Sequence, residues 1–201
     1  MKNFSAIWKH EVRQADQIAK RLLENKKVAL NWEIILLPVF LYKIYHYRKN
    51  LRFTQKNLLY TRKLAFDAAK NIFLGEDQAW EVRRIENKTN EILIKNRRDI
   101  YNEEIQHAQL SEIQLLIDHF LRLLKSDQRR YLQALKNAYS TKGRYLNFLN
   151  RLHKAETEVI QASIETMRTG TKKARRQWFQ NMNQATRKIR LAEAEEIYSQ
   201  S

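Results

Sequence analysis

The sequence predicts an all-α protein in which long antiparallel helices form a bundle with a coiled-coil-like hairpin and few loops. Three observations carry this. The 201 residues include one proline and three glycines, whereas ordinary proteins carry roughly 5% Pro and 7% Gly. A sandwich or barrel needs a turn about every ten residues, and this chain lacks the residues to make them. Hydrophobic residues make up 43% of the chain, enough to bury a core. They recur with the three-to-four spacing of a helix face along most of the sequence.

The first helix is expected over 4–25, with Ile7, Trp8, Ala15, Ile18, Ala19 and Leu22 on one stripe and Lys9, Arg13, Asp16, Gln17 and Lys20 opposite. Residues 28–47, VALNWEIILLPVFLYKIYHY, differ in kind: Ile34–Tyr42 is an uncharged apolar run with Pro38 inside it and Glu33 just before it. A proline there predicts a kink or break. Residues 50–74 form the next helix, closed by Gly75, and Glu76 and Asp77 suit the following N-terminus. From Asp77 to Ala138 there is no Pro or Gly. About 60 residues would span about 90 Å as one helix, so the chain is expected to fold back near 108–111, where the apolar spacing slips. Beyond it Ile113, Ile117, Phe120, Leu124, Tyr131, Leu135 and Ala138 make a coiled-coil-like seam with Asp127 in register. Ser140–Gly143 reads as a loop, 145–167 as a helix, and the chain from Lys172 as a last helix.

The expected organisation is a basic N-terminal helical region, 1–75, carrying the apolar segment, and a long-helix bundle, 76–201, with a basic C-terminal helix. The two also read as one continuous domain. The formal net charge is +16, and its distribution is uneven. Residues 1–63 hold fourteen Lys/Arg against four Asp/Glu, residues 76–130 ten against eleven, and residues 168–190 eight against none. Such an excess favours polyanions: an anionic lipid surface or an acidic macromolecule.

Two segments carry the candidate sites. Spanning a bilayer takes about 20 apolar residues, more than this run supplies. Its length suits either a membrane-interface anchor or a buried core helix. Trp32, Tyr42 and Tyr45 bracket it, and Lys26, Lys27, Lys43, Arg48, Lys49 and Arg52 flank it, the residues that the interface prefers. The candidate membrane-interface set is therefore Trp32, Ile34, Leu37, Pro38, Phe40, Leu41, Tyr42, Lys43, Tyr45, Arg48 and Lys49. The second segment gives a candidate polyanion-binding set of Lys172, Lys173, Arg175, Arg176, Trp178, Arg187, Lys188 and Arg190. Its cations would neutralise phosphates while Trp178 stacks on bases. The same pattern fits a basic helix lying on a membrane, or a solvated face with its aromatics turned inward.

Catalytic and metal chemistry find little to work with. No cysteine is present, which removes thiolate nucleophiles and zinc-thiolate sites. Glu104 and His107 match Glu-x-x-His, but a di-iron bundle needs a second such motif, and the chain has none. The glycines at 75, 143 and 170 lie in no phosphate-cradling pattern. The expectation is a non-enzyme without cofactor or metal.

The opening of the chain resembles a family of uncharacterised bacterial helical proteins. Ile7-Trp8 with Glu11, Ile18-Ala19, and Trp32 followed by Ile35-Leu36-Leu37-Pro38 and Tyr42 carry the resemblance. It covers about the first fifty residues and implies no activity. No apolar signal region follows Met1–His10, so a cytoplasmic protein is expected, peripheral at the inner face of the membrane. The leading expectation is an anchor or scaffold on an anionic membrane, with oligomerisation through the 111–167 helices. The alternative is a soluble nucleic-acid-binding or protein-interaction adaptor using the C-terminal helix.

Overall fold

A computed structural model describes residues 4–24, 37–95, 101–166 and 171–199. Among these there are seven helices and no strand: α1 Phe4–Glu24, α2 Leu37–Phe73, α3 Gln78–Lys95, α4 Glu103–Lys125, α5 Tyr131–Ala138, α6 Lys142–Thr166 and α7 Lys172–Ser199. The all-α prediction holds.

Side-chain pairs set the register. Phe4 meets Phe73, Trp8 stacks on Phe66, and Glu11 pairs with Arg62, so α1 and α2 run antiparallel. Phe66 meets Phe120 edge-on, and Gln109 donates to Thr61, so α4 runs parallel to α2. His119 stacks on Phe148 while Glu112 and Glu156 line one cavity, so α6 returns antiparallel to α4. Arg190 with Glu156 brings α7 back along α6, while His10 with Glu193 closes it onto α1. The core lies between these helices. Phe120, Leu116, Leu123 and Leu135 have no exposed surface, and Ala65, Ala68 and Ala69 give α2 a small-residue face for close packing. N-caps fall where short polar side chains stand: Asp77 accepts from the Trp80 N–H at 2.8 Å, and Asn102 from Ile105 at 2.9 Å. Gly75, at φ +114, ends the turn after α2 in a conformation that other residues rarely adopt.

Four boundaries depart from the sequence reading. The chain folds back before Asn102, not at 108–111. The apparent slip arises because Gln109 and Glu112 are buried polar residues on the inward stripe of one helix, where apolar ones were expected. The seam at 113–138 is broken. Ser126 Oγ donates to the Leu123 carbonyl at 2.6 Å and Asp127 takes φ +52, ending α4 without Pro or Gly. At 140–143 the loop is shorter than expected, because α6 already begins at Lys142. Finally, the helix expected over 50–74 is described from Leu37 to Phe73 and includes Pro38.

Candidate functional site

The most unusual feature of the interior is a layer of charge. Glu11 on α1, Arg62 on α2, Glu112 on α4 and Arg190 on α7 are all buried, and Glu156 on α6 is nearly so. Each occupies a position in its helix's apolar stripe. Glu11 follows Ile7 by one turn, Glu112 precedes Leu116, Glu156 lies between Leu152 and Ile160, and Arg190 precedes Ala194. Charged side chains are rarely interior unless paired, and four of these five are. Arg62 pairs with Glu11 through Nη1 and with Glu156 through Nη2 at 3.2 Å. Arg190 grips Glu156 with both terminal nitrogens, at 2.7 and 2.6 Å.

The fifth member stands apart. Glu112 is 6% exposed and, among the described residues, makes no hydrogen bond or ion pair. It lines a cavity of about 150 Å³ together with Glu11, Arg62, Glu156 and Arg190. The cluster thus holds three carboxyls against two guanidiniums.

The electrostatics follow from this layout. Burial works to raise the Glu11 carboxyl, but Arg62 beside it outweighs that and holds it below the usual range. Burial opposes ionisation of Glu156 too, and Arg190 and Arg62 together draw its carboxyl down. Burial would lower the Arg62 guanidinium, yet Glu11 and Glu156 raise it. Glu112 is pushed up to about 8 by burial and by repulsion from Glu156, against the pull of Arg62 and Arg190. At neutral pH it therefore holds its proton.

A second polar layer abuts the first. His10 Nε2 donates to Glu193, and Gln14 donates to the same carboxylate at 2.9 Å. Tyr131 stacks on the His10 ring. His119 Nδ1 lies 2.9 Å from the Tyr139 hydroxyl, with Phe148 stacked at 4.3 Å. Burial pushes His119 down to about 3, so its ring is neutral.

Of the predicted membrane-interface set, Trp32 and Ile34 lie outside the described residues. Leu37, Pro38, Phe40, Leu41, Tyr42, Lys43, Tyr45, Arg48 and Lys49 are described in backbone alone, as the first part of α2. Helical register nevertheless locates them. From the level of Glu11 and Arg62, α1 reaches its last described residue, Glu24, opposite about residue 49 of α2, at one residue per 1.5 Å on each helix. Residues 37–48 of α2 therefore run past the described end of α1. From the level of Arg62 and Glu156, Glu165 lies about nine residues along α6, and Lys172 reaches it at 2.7 Å. The first turn of α7 thus sits at the end of the bundle from which the apolar part of α2 leads away.

Within the polyanion set, Lys172, Lys173, Arg176, Arg187 and Lys188 are exposed, and Arg175 and Trp178 are half-buried. Trp178 meets Phe179 edge-on, and the pair belongs to a small apolar cluster with Ile160 and Ile164. The inward reading of these aromatics accounts for Phe179, which is buried. Arg190 differs from the others. It is 4% exposed and its guanidinium is committed to Glu156, so it serves the interior rather than a surface ligand.

Two neighbouring grooves on the opposite face of α1 are not legible in the sequence. One, of about 470 Å³, is lined by Lys9, Arg13, Arg130 and Lys136. The other, of about 800 Å³, is lined by Arg13, Lys20, Arg21 and Lys188, with Glu193 and Glu196. Leu132 is shared between them. Three helices contribute these cations, so no single run of sequence displays them.

Glu104 and His107 are both exposed on α4, and no group of three or more His, Asp or Glu among the described residues is placed to hold a metal ion. No described helix is long and apolar enough to cross a membrane. In the 111–167 helices, the seam residues Ile113, Ile117, Phe120 and Leu124 are buried within the chain itself. Compared with known proteins, the chain matches no family model, and no curated protein or solved structure matches it significantly.

Proposed function

We propose that the protein is a non-catalytic helical anchor or scaffold that attaches peripherally to an anionic membrane by one end of its bundle. The observation that carries this reading is the convergence of two separate sequence features at that end. The apolar, aromatic part of α2 leads away from it, and the exposed Lys172, Lys173 and Arg176 stand at its edge. A shallow apolar insertion beside a cluster of cations is the two-signal arrangement that stable peripheral binding needs. Flotation of the full chain with phosphatidylcholine vesicles, with and without phosphatidylglycerol, tests it. Co-flotation that depends on the anionic lipid supports it, and full recovery in the bottom fraction with both overturns it.

The paired basic grooves on α1, α5 and α7 favour a second reading, an adaptor for nucleic acid or an acidic protein. Its signature is binding that weakens steeply with salt through counterion release and is lost in R13E/R130E, with flotation unaffected.

A further inference from the structure

The cavity beneath Glu112 is not used by either surface reading. Its walls come from five helices, and every ionisable group facing it can be named: Glu11 from α1, Arg62 from α2, Glu112 from α4, Glu156 from α6 and Arg190 from α7. Both guanidiniums are already committed to carboxylates, by the Arg62–Glu11 pair and the two-point Arg190–Glu156 pair. An anionic ligand would find no free donor fork and would face three carboxyls. The group left over is the Glu112 carboxyl, buried and without a partner among the described residues. One positive charge is missing from the layer. A proton on Glu112 supplies it, and a small cation would supply it equally well. The remainder of the wall joins an apolar side, with Ile18, Leu58, Val159, Ile160 and Met182, to the uncharged polar residues Gln14, Thr61, Asn183 and Thr186. No group of three or more His, Asp or Glu among the described residues is placed to hold a bare metal ion, whereas an alkyl chain gains from the apolar side of this wall. Leu58, Thr61, Val159, Met182 and Asn183 are only half-buried, which leaves a way in between α2, α6 and α7.

We propose that this cavity binds a small organic ammonium ion, whose head donates to Glu112 and whose alkyl chain lies against Ile18, Leu58, Ile160 and Met182. Binding is an exchange. The ammonium keeps its own protons, Glu112 gives up the one it carries, and that proton leaves to the buffer. Affinity therefore rises about tenfold per pH unit while Glu112 is protonated.

The test is calorimetric titration of the full chain with n-butylammonium chloride at pH 7, in two buffers of different ionisation enthalpy, with sodium butyrate and potassium chloride as parallel ligands. Expected are saturable binding of the amine alone, release of about one proton per ligand, and tighter binding at higher pH. E112Q removes the binding, and L58W, which narrows the half-buried rim, removes it independently of any change at the carboxyl. Thermal melts confirm that each variant is folded. Absence of saturation up to about 10 mM amine, binding retained in folded E112Q, equal binding of butyrate or potassium, or binding without proton release would each overturn the proposal.

Discussion

Arg190 on α7 and Glu156 on α6 meet as a parallel two-point pair, Nη1 to Oε2 at 2.7 Å and Nη2 to Oε1 at 2.6 Å, inside the bundle. Arg62 reaches the same Glu156 from α2, and Glu11 holds Arg62 from α1. Four helices are thereby tied to one chain of alternating charge. Apolar side chains tolerate a helix that slides or rotates, because dispersion has no direction. A forked guanidinium on a carboxylate does not. The charged layer thus fixes which faces meet, while the surrounding Leu, Ile and Phe supply most of the free energy.

That division of labour predicts how the pair responds to substitution. Arg190→Met leaves Glu156 with Arg62 alone, at 3.2 Å. Loss of one partner from a buried pair costs about 3 to 5 kcal/mol, and a loss near the lower value is expected because Arg62 remains. Replacing both, in Arg190→Met with Glu156→Leu, recovers most of it. Urea unfolding of the three proteins checks this, and a double variant no better than the single would mean that the layer contributes stability in its own right.

Glu112 gives the bundle a pH dependence of unusual sign. Its folded-state value, about 8, lies above the unfolded value near 4.5. The folded state therefore binds the extra proton, and its contribution is complete below pH 4.5. It drains away as pH rises from there to about 8, at up to about 1.4 kcal/mol per pH unit. Glu112→Gln keeps the shape and cannot ionise. Relative to the variant, the wild type should lose stability steadily between those limits and run parallel outside them, as read from melts in matched buffers.

His119 acts in the opposite direction. Held neutral by burial, its folded value is about 3 against 6.5 unfolded. Its contribution is complete above pH 6.5 and is lost as pH falls toward 3, because only the unfolded chain accepts the proton. From pH 4.5 to 6.5 the slopes from His119 and Glu112 cancel, and these two groups together leave stability level there. His119→Phe, which keeps a ring stacked near Phe148 and Tyr139, removes one slope. In that variant stability should rise as pH drops from 6.5 to 4.5. A flat profile in His119→Phe would exclude the assignment.

Much of the fold could be read from the sequence, and the site could not, for one physical reason. Periodicity reports which residues face inward only when the inward residues are apolar. Ile7, Ile18 and Leu22 revealed the buried face of α1, and the breaks at Gly75 and before Lys172 followed from residue type. Glu11, Glu112 and Glu156 sit at inward positions yet read as surface, since a carboxylate normally belongs there. In α4 this produced a false break at 108–111. The usable signal was a charged residue in register with the stripe, four from an Ile or Leu on either side, as Glu156 is between Leu152 and Ile160. Which partner neutralises it depends on helix pairing, and that is not local. The α1–α5–α7 grooves stayed hidden for the same reason. The break at Asp127 escaped because Ser and Asp, unlike Pro and Gly, end a helix only when their side chains turn back to the backbone.

The bundle end carries the last prediction. If residues 37–48 of α2 enter the headgroup region, Lys172, Lys173 and Arg176 lie within about a Debye length of the lipid, about 8 Å at physiological salt. Each cation there contributes about 1 kcal/mol on an anionic leaflet. Reversing all three, in K172E/K173E/R176E, exchanges attraction for repulsion and should weaken binding to phosphatidylglycerol vesicles by at least about a hundredfold. The substitutions are surface ones: among the described residues Lys172 and Arg176 share the exposed partner Glu165, so thermal stability should change by less than about 1 kcal/mol. Leu37→Gln with Leu41→Gln removes apolar area instead, and should weaken binding to neutral and anionic vesicles alike. Arg13→Glu, on the groove side of α1, should leave both unchanged. A charge reversal at Arg13 as damaging as that at Lys172, Lys173 and Arg176 would mean that attraction is spread over the whole basic surface, and that this end has no special part in it.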